Sequence, residues 1–102
     1  TFLTGDFNCT EQSFAWKYLT GDSEIDEENK GDFIDLWHSA DERINPVSTY
    51  HGYKGPLEAN ERIDWILARP SLKVLKAETV VYQRNGFYPS DHFAVYVEIS
   101  ID

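Results

Sequence analysis

The chain is short of several things, and each shortage excludes a class of protein. Cys9 is its one cysteine, so an internal disulfide and a cysteine-rich zinc centre are both ruled out. Basic residues are scarce: nine Lys and Arg stand against eighteen Asp and Glu, a formal net charge of −9. A sequence-independent grip on nucleic acid needs clustered cations that displace counterions from phosphates, and no such cluster is present. A phosphate-bearing substrate survives this exclusion, because a bound divalent cation can screen the repulsion. No apolar run approaches the roughly 20 residues of a membrane span, and no stretch has the basic-then-apolar pattern of a signal peptide. Methionine is absent altogether. The strand-like start at Thr1 leads us to expect further residues upstream of it.

What is present suffices for one small domain. Of 102 residues, 41% are hydrophobic and 15% aromatic, enough for a single core in a chain that buries roughly 60–70% of its extended surface. A charged fraction of 26% is ordinary and argues for a folded chain. Nine of the eighteen acids fall between residues 22 and 42. We read that cluster as a solvated loop and helix face.

Periodicity predicts an α+β order. A strand runs through about Gly5 into a loop holding Asp6 and Asn8. A helix over about 11–19 follows, with Thr10 as N-cap, Phe14/Tyr18 and Ala15/Leu19 as i,i+4 pairs, and Gly21 as its end. After the acidic linker, a short helix near 33–38 is capped by Asp32 and turns Phe33, Leu36 and Trp37 to one face. The stretch 45–60 is loop-rich, with Pro46, Gly52, Gly55 and Pro56. Strands are expected over 62–68, ending at Pro70, and over 74–82. Asn85-Gly86 turns the chain, and Phe93, Val95, Val97, Ile99 and Ile101 alternate to the end.

Three polar clusters stand at strand ends or starts, where a sheet can hold side chains out into a shared cleft. They are Gly5-Asp6-Phe7-Asn8, Arg62-Ile63-Asp64-Trp65 and Ser90-Asp91-His92. Together they hold what metal-assisted hydrolysis of a phosphate ester requires. One carboxylate orients or deprotonates water, and an amide binds the phosphate. A histidine backed by a carboxylate stabilises charge on phosphorus-bound oxygens. A further carboxylate lies near a hard cation that takes oxygen ligands. Each cluster also has a purely structural reading. Gly, Asp and Asn form turns. Asp64, set among Ile63, Trp65, Ile66 and Leu67, needs a partner, and Arg62 on the same strand face or Arg69 would serve. Asp91 can cap a turn, and His92 can be a satisfied histidine at a strand start.

In this order, the three clusters resemble the motifs of the endonuclease/exonuclease/phosphatase superfamily, whose fold is that of deoxyribonuclease I. The matching residues are Gly5-Asp6-Phe7-Asn8, Arg62-Ile63-Asp64-Trp65-Ile66-Leu67 and Pro89-Ser90-Asp91-His92-Phe93, and the likeness spans essentially the whole chain. The loop Thr49-Tyr50-His51-Gly52-Tyr53 adds a similarity to the small bacterial hydrolases of that superfamily and, more distantly, to the deadenylases. The resemblance implies that Asp6 activates the attacking water and that Asn8 holds it or a phosphate oxygen. It implies further that His92 contacts the scissile phosphate, with Asp64 on its far ring nitrogen. Asp91 would bind Mg2+, or Mn2+ in its place, directly or through water, with Asp6 as a further metal-side carboxylate. His51 is a weaker substrate-binding candidate, since a loop histidine beside glycine is ordinarily just exposed. Cys9 reads as a small packing residue with no neighbour to activate it.

The family also draws a metal-ligating Glu, an Asn and a His or Tyr from its N-terminal half, and none of those motifs is present. Glu11, Glu58 and Glu61 match no motif. The expectation is therefore that residues 1–102 form the C-terminal half of a four-layer α/β sandwich, as one mainly antiparallel sheet with helices on one face. The N-terminal half would be its partner. The isolated chain should bind metal weakly and turn over little substrate. One sheet face should lie open, with Trp65, Phe93 or Val95 on a surface that drives self-association. Substrates in keeping with the charge are short nucleic acid, a phospholipid head group or a sugar phosphate. The competing reading is a non-catalytic binding or scaffold domain with the same fold.

Overall fold

A computed structural model describes residues 1–21, 31–57, 61–70 and 72–101. Its elements in order are β1 (Phe2–Asp6), α1 (Phe14–Thr20), β2 (Ile34–Asp35), α2 (Leu36–Ser39), β3 (Glu42–Ile44), β4 (Asp64–Ala68), β5 (Lys73–Val80) and β6 (Ala94–Ser100). The class is α+β, as expected. Hydrogen bonding divides the strands into two three-stranded sheets, β1-β4-β2 and β3-β5-β6, where one sheet was anticipated. Antiparallel pairing predominates, and β3 lies parallel to β5. The largely apolar run of β4 makes it the central strand of its sheet, pairing Gly5 with Trp65 and Asp6 with Asp64.

One helical turn ties the two sheets together. Leu36, Trp37 and Ala40 are buried against Ala68 of β4 and against Val74 and Ala77 of β5. Full burial of a side chain the size of Leu36 contributes about 1.5–3 kcal/mol. Asp35 caps this turn by accepting from the Trp37 amide at 3.0 Å. The cap expected at Asp32 is thus displaced by three residues, because Ile34 and Asp35 first pair with Ala68 and Leu67. Asp32 instead accepts from Arg69 at 2.8 Å. The cap of α1 moves likewise: Ser13, not Thr10, accepts from the Trp16 amide, while Thr10 closes the preceding turn through its carbonyl oxygen to the Ser13 amide. Gly21 ends α1 in a left-handed conformation, as expected.

Among the described residues, β2 and β3 are the elements not anticipated, β3 being three residues long and set in acidic sequence. A bulge between Val74 and Lys76 explains the burial of Val74, Ala77 and Thr79, which breaks strict alternation along β5. The acidic stretch 22–30 lies outside the described residues, as do residues 58–60, Ser71 and Asp102. Of the acids that follow residue 30, Asp32, Asp35 and Asp41 are ion-paired, with Arg69, Arg62 and Lys73 respectively.

The expected open face needs correction. Trp65 and Phe93 are buried and Val95 is half-buried. Trp65 lies under Phe7, with ring centroids 4.4 Å apart, and donates its indole N–H to the Arg62 carbonyl. Phe93 stacks on His51. The large apolar side chains left exposed include Phe14, Tyr82, Phe87 and Tyr96. The molecule is a slab measuring 50 × 32 × 19 Å with a radius of gyration of 14.4 Å, against about 13 Å for a compact domain of this length. Among the described residues, no helix is long and apolar enough to cross a membrane.

Candidate active site

Antiparallel pairing of β1 with β4 sets Asp6 opposite Asp64. Beyond them the ladder continues from the Phe7 amide to the Ile63 carbonyl at 2.8 Å. Gly5 sits at φ 150°, a backbone setting that side chains disfavour, with open space where a Cβ would point. Asn8 adopts φ 56°, which asparagine tolerates better than most residues. Its amide N–H donates to Asp6 Oδ1 at 2.9 Å. That turn fixes the Asp6 carboxylate and leaves Oδ2 turned towards His92. The Asn8 side-chain amide makes no hydrogen bond among the described residues.

His92 completes the cluster. Its Nδ1 lies 2.8 Å from Asp64 Oδ2, and its Nε2 lies 3.7 Å from Asp6 Oδ2. The alternatives for Asp64 are thereby resolved: Arg62 pairs with Asp35 at 2.7 Å and with Glu11 at 3.0 Å, and Arg69 pairs with Asp32. The hydrogen bond to Asp64 holds the pKa of His92 above its ordinary 6.5. Partial burial opposes this, and the charges of Asp64, Asp6 and Asp91 add to it.

Asp6, Asp64 and His92 bring three ligand atoms within 4.8 Å of one another. Asp91 stands outside that group. Its carbonyl oxygen accepts from the His51 and Gly52 amides at 2.8 and 3.2 Å, which fastens the 49–53 loop to the start of β6. His51 is not exposed. It is 1% accessible, its ring stacked on Phe93 at 4.0 Å and close to Tyr88 at 4.9 Å, and neither ring nitrogen has a partner among the described residues. Its ring thus packs beneath the cluster, where the sequence suggested a loop histidine open to solvent. Cys9 is a half-buried free thiol.

The residue that motif reasoning missed is Thr49. It is fully buried, and its Oγ1 accepts from the Ile63 and Asp64 amides at 3.0 and 3.3 Å. Its carbonyl accepts from the Phe93 amide at 2.7 Å. One residue thus clamps the strand that carries Asp64 to the strand start that carries His92. Its neighbour Tyr50 bridges to His92 and meets the imidazole edge-on at 5.3 Å. The signal lay in the loop 49–53, where attention went to the histidine and away from the threonine two positions earlier.

A cleft of about 360 Å³ opens over Asp6 and Asp64, bounded by Ile66, Phe93 and Val95. A second, of about 400 Å³, is lined by His92, Phe93, Val80, Tyr82 and Pro89. The two share Phe93 and Ala94.

No protein-family model and no curated protein sequence matches the chain. Solved structures do. An endonuclease/exonuclease/phosphatase family protein from Bacteroides thetaiotaomicron superposes with a TM-score of 0.76 at 26% identity over 96% of this chain. A Bacteroides vulgatus protein of the same description gives 0.77 at 24% identity over 99%. A mannosyl-6-phosphatase of B. thetaiotaomicron gives 0.74 at 26% over 98%. The chain spans about a third of each, 35%, 36% and 37% respectively. The likeness read from the three motifs therefore holds in three dimensions, with members of that family sharing this fold.

Proposed function

We propose that this chain, with the fold of the endonuclease/exonuclease/phosphatase family, is the C-terminal part of a metal-dependent hydrolase of phosphate esters. The observation that carries the reading is the ordered array Asp64–His92–Asp6, held without a lysine or arginine in the cluster. The imidazole donates its Nδ1 proton to Asp64, which fixes the ring and favours the charged form. In that form Nε2–H donates to a non-bridging phosphate oxygen and stabilises the negative charge that grows as water attacks. Asp6 Oδ2, 3.7 Å from Nε2 and half exposed, orients that water and accepts its proton. The Asn8 amide hydrogen-bonds a second phosphate oxygen. A correctly placed acid–base group accelerates such a reaction by about 10²–10⁴-fold.

The donor set fits a hard cation. Asp6 offers a carboxylate oxygen that is half exposed, and Asp91 stands close enough to act on His92 through its charge. These oxygens suit Mg2+, with Mn2+ as a substitute, and water or another segment would complete the shell. When bound, the cation supplies neutralisation of charge on the phosphate and the leaving oxygen. Two protein carboxylates make a sparse site, the slab is thin, and the chain spans about a third of the structures it matches. All three support a second segment of the same protein closing the site, so the isolated chain is expected to have little activity.

The deciding experiment measures hydrolysis of one phosphodiester and one phosphomonoester by the full-length protein, with and without Mg2+. Metal-dependent turnover that His92→Ala abolishes is the expected result. Turnover indistinguishable between the two proteins would sink the reading and favour a scaffold domain.

A further inference from the structure

Between β5 and β6 the chain makes a tight excursion over residues 82–89. Arg84 and Phe87 exchange both backbone hydrogen bonds at 2.9 Å across a two-residue turn. Asn85 and Gly86, at φ 54° and 81°, supply the left-handed pair that such a turn demands. Gly86 N–H donates to Gln83 Oε1 at 2.6 Å, which braces the turn from outside. The base is anchored by Tyr88, which lies against His51 and Phe93 beneath the candidate site.

This hairpin carries two aromatic rings that are largely exposed. Phe87 is 78% exposed and Tyr82 55%, and neither makes a ring contact among the described residues. Arg84 stands between them in sequence. The other three arginines are engaged, Arg43 with the Ala40 carbonyl, Arg62 with Glu11 and Asp35, and Arg69 with Asp32. The Arg84 guanidinium has no partner among the described residues, in a chain of net charge −9. The cleft that begins at His92 runs to Tyr82 and Pro89. A further cleft of about 420 Å³ shares those two residues and continues to Arg84, Phe87 and Tyr88.

We infer that the 82–89 hairpin is a recognition platform for the organic part of the substrate. Tyr82 and Phe87 stack a flat aromatic ring, and Arg84 pairs with a second negative group. The occupant is thus a phosphate ester with a ring and an additional charge, the chemistry of a short oligonucleotide. Apolar packing alone would account for the rings but would leave a free cation among them. A monophosphorylated sugar carries a single phosphate, which the Asp6–His92 site already takes up. The inference rests on the proposed phosphoesterase reading and adds to it the residues that choose the substrate.

The test compares 5′-phosphorylated dithymidylate with its abasic counterpart, equal in charge but lacking the rings, on the full-length protein. Stacking predicts a KM about tenfold lower for the dithymidylate, a preference that Phe87→Ala or Tyr82→Ala erases. Arg84→Gln should raise KM for both compounds and flatten its dependence on salt by about one phosphate contact. Equal KM values for the two compounds, or a preference that survives both aromatic variants, would overturn the platform. A lowered unfolding midpoint in Phe87→Ala would also overturn it, by showing that the ring packs against protein. If neither compound is hydrolysed, turnover of the simple phosphodiester and phosphomonoester decides the phosphoesterase reading separately. Binding of the same two compounds, followed by tyrosine fluorescence, then decides on the platform alone.

Discussion

Asp6, Asp64 and His92 form one cluster in this molecule, and Glu11, Asp35 and His38 form another. Each has two acids and one histidine, and in each the three ligand atoms lie within 4.8 Å. The difference is one guanidinium. Arg62, 2% exposed, donates to both Asp35 and Glu11 and lies over the Trp37 ring at 5.3 Å. Asp35 also caps α2 and accepts from the Trp16 indole at 2.9 Å. The second cluster has a buried guanidinium between its two carboxylates and knits α1, α2 and the start of β4 together. The first has no lysine or arginine among the described residues and opens to a cleft. Identical ligand types therefore serve cohesion in one place and are left available in the other, and the presence of a guanidinium tells them apart.

Breaking each cluster should have a different readout. His92→Ala is expected to lower kcat of the full-length protein by about 10³-fold, with a smaller loss of urea stability than Arg62→Leu. Arg62→Leu should act on stability instead, at a cost of about 3–5 kcal/mol, because Asp35 is left buried without a counter-charge. Equilibrium unfolding in urea measures it, and a loss below about 1 kcal/mol would count against a cohesive role. Asp64→Asn should reduce kcat by about 10–100-fold and return the His92 titration, followed by its ring-proton NMR shifts, towards 6.5. Thr49→Val keeps the shape but removes the acceptor for two amides, at a cost of about 1–3 kcal/mol in the same urea experiment.

The mildest perturbation is pH, and it acts on the two clusters from opposite sides. His92 has a raised pKa, so its bond to Asp64 contributes fully below 6.5 and fades as pH climbs through the raised value. Burial works to raise the pKa of Glu11, but hydrogen bonds and charge from His38 and Arg62 outweigh it and leave the value below 4.5. Its contribution is complete above 4.5 and is lost as pH falls through the lowered value. Urea midpoints of His92→Gln and Glu11→Gln, each compared with the parent from about pH 2 to 9, should therefore converge with it at opposite ends of the range.

Much of this was legible in the residues. The three motif clusters supplied Asp6, Asn8, Asp64 and His92, and the structure brings the two aspartates and the histidine together. Long periodic runs marked β5 and β6. What escaped depended on partners distant in sequence. Asp35 looks like any acid in an acidic stretch until Arg62 arrives beside it. Asp32 and Asp35 are equally good caps locally, and the pairing of β2 with β4 decides between them. His51 lies in a loop that looks exposed, yet Tyr88 and Phe93 close over it. β3 is too short to show a period and exists because β5 offers it an edge.

The register of β1 carries a consequence for how the chain is made. Phe2 pairs with Ala68, so β1 leaves the ribosome well before the strand that will hydrogen-bond it. At about 5–20 residues per second that wait lasts roughly 3–13 s. The nascent chain must carry β1 without its β4 partner through that interval, within reach of chaperones and of other copies of itself.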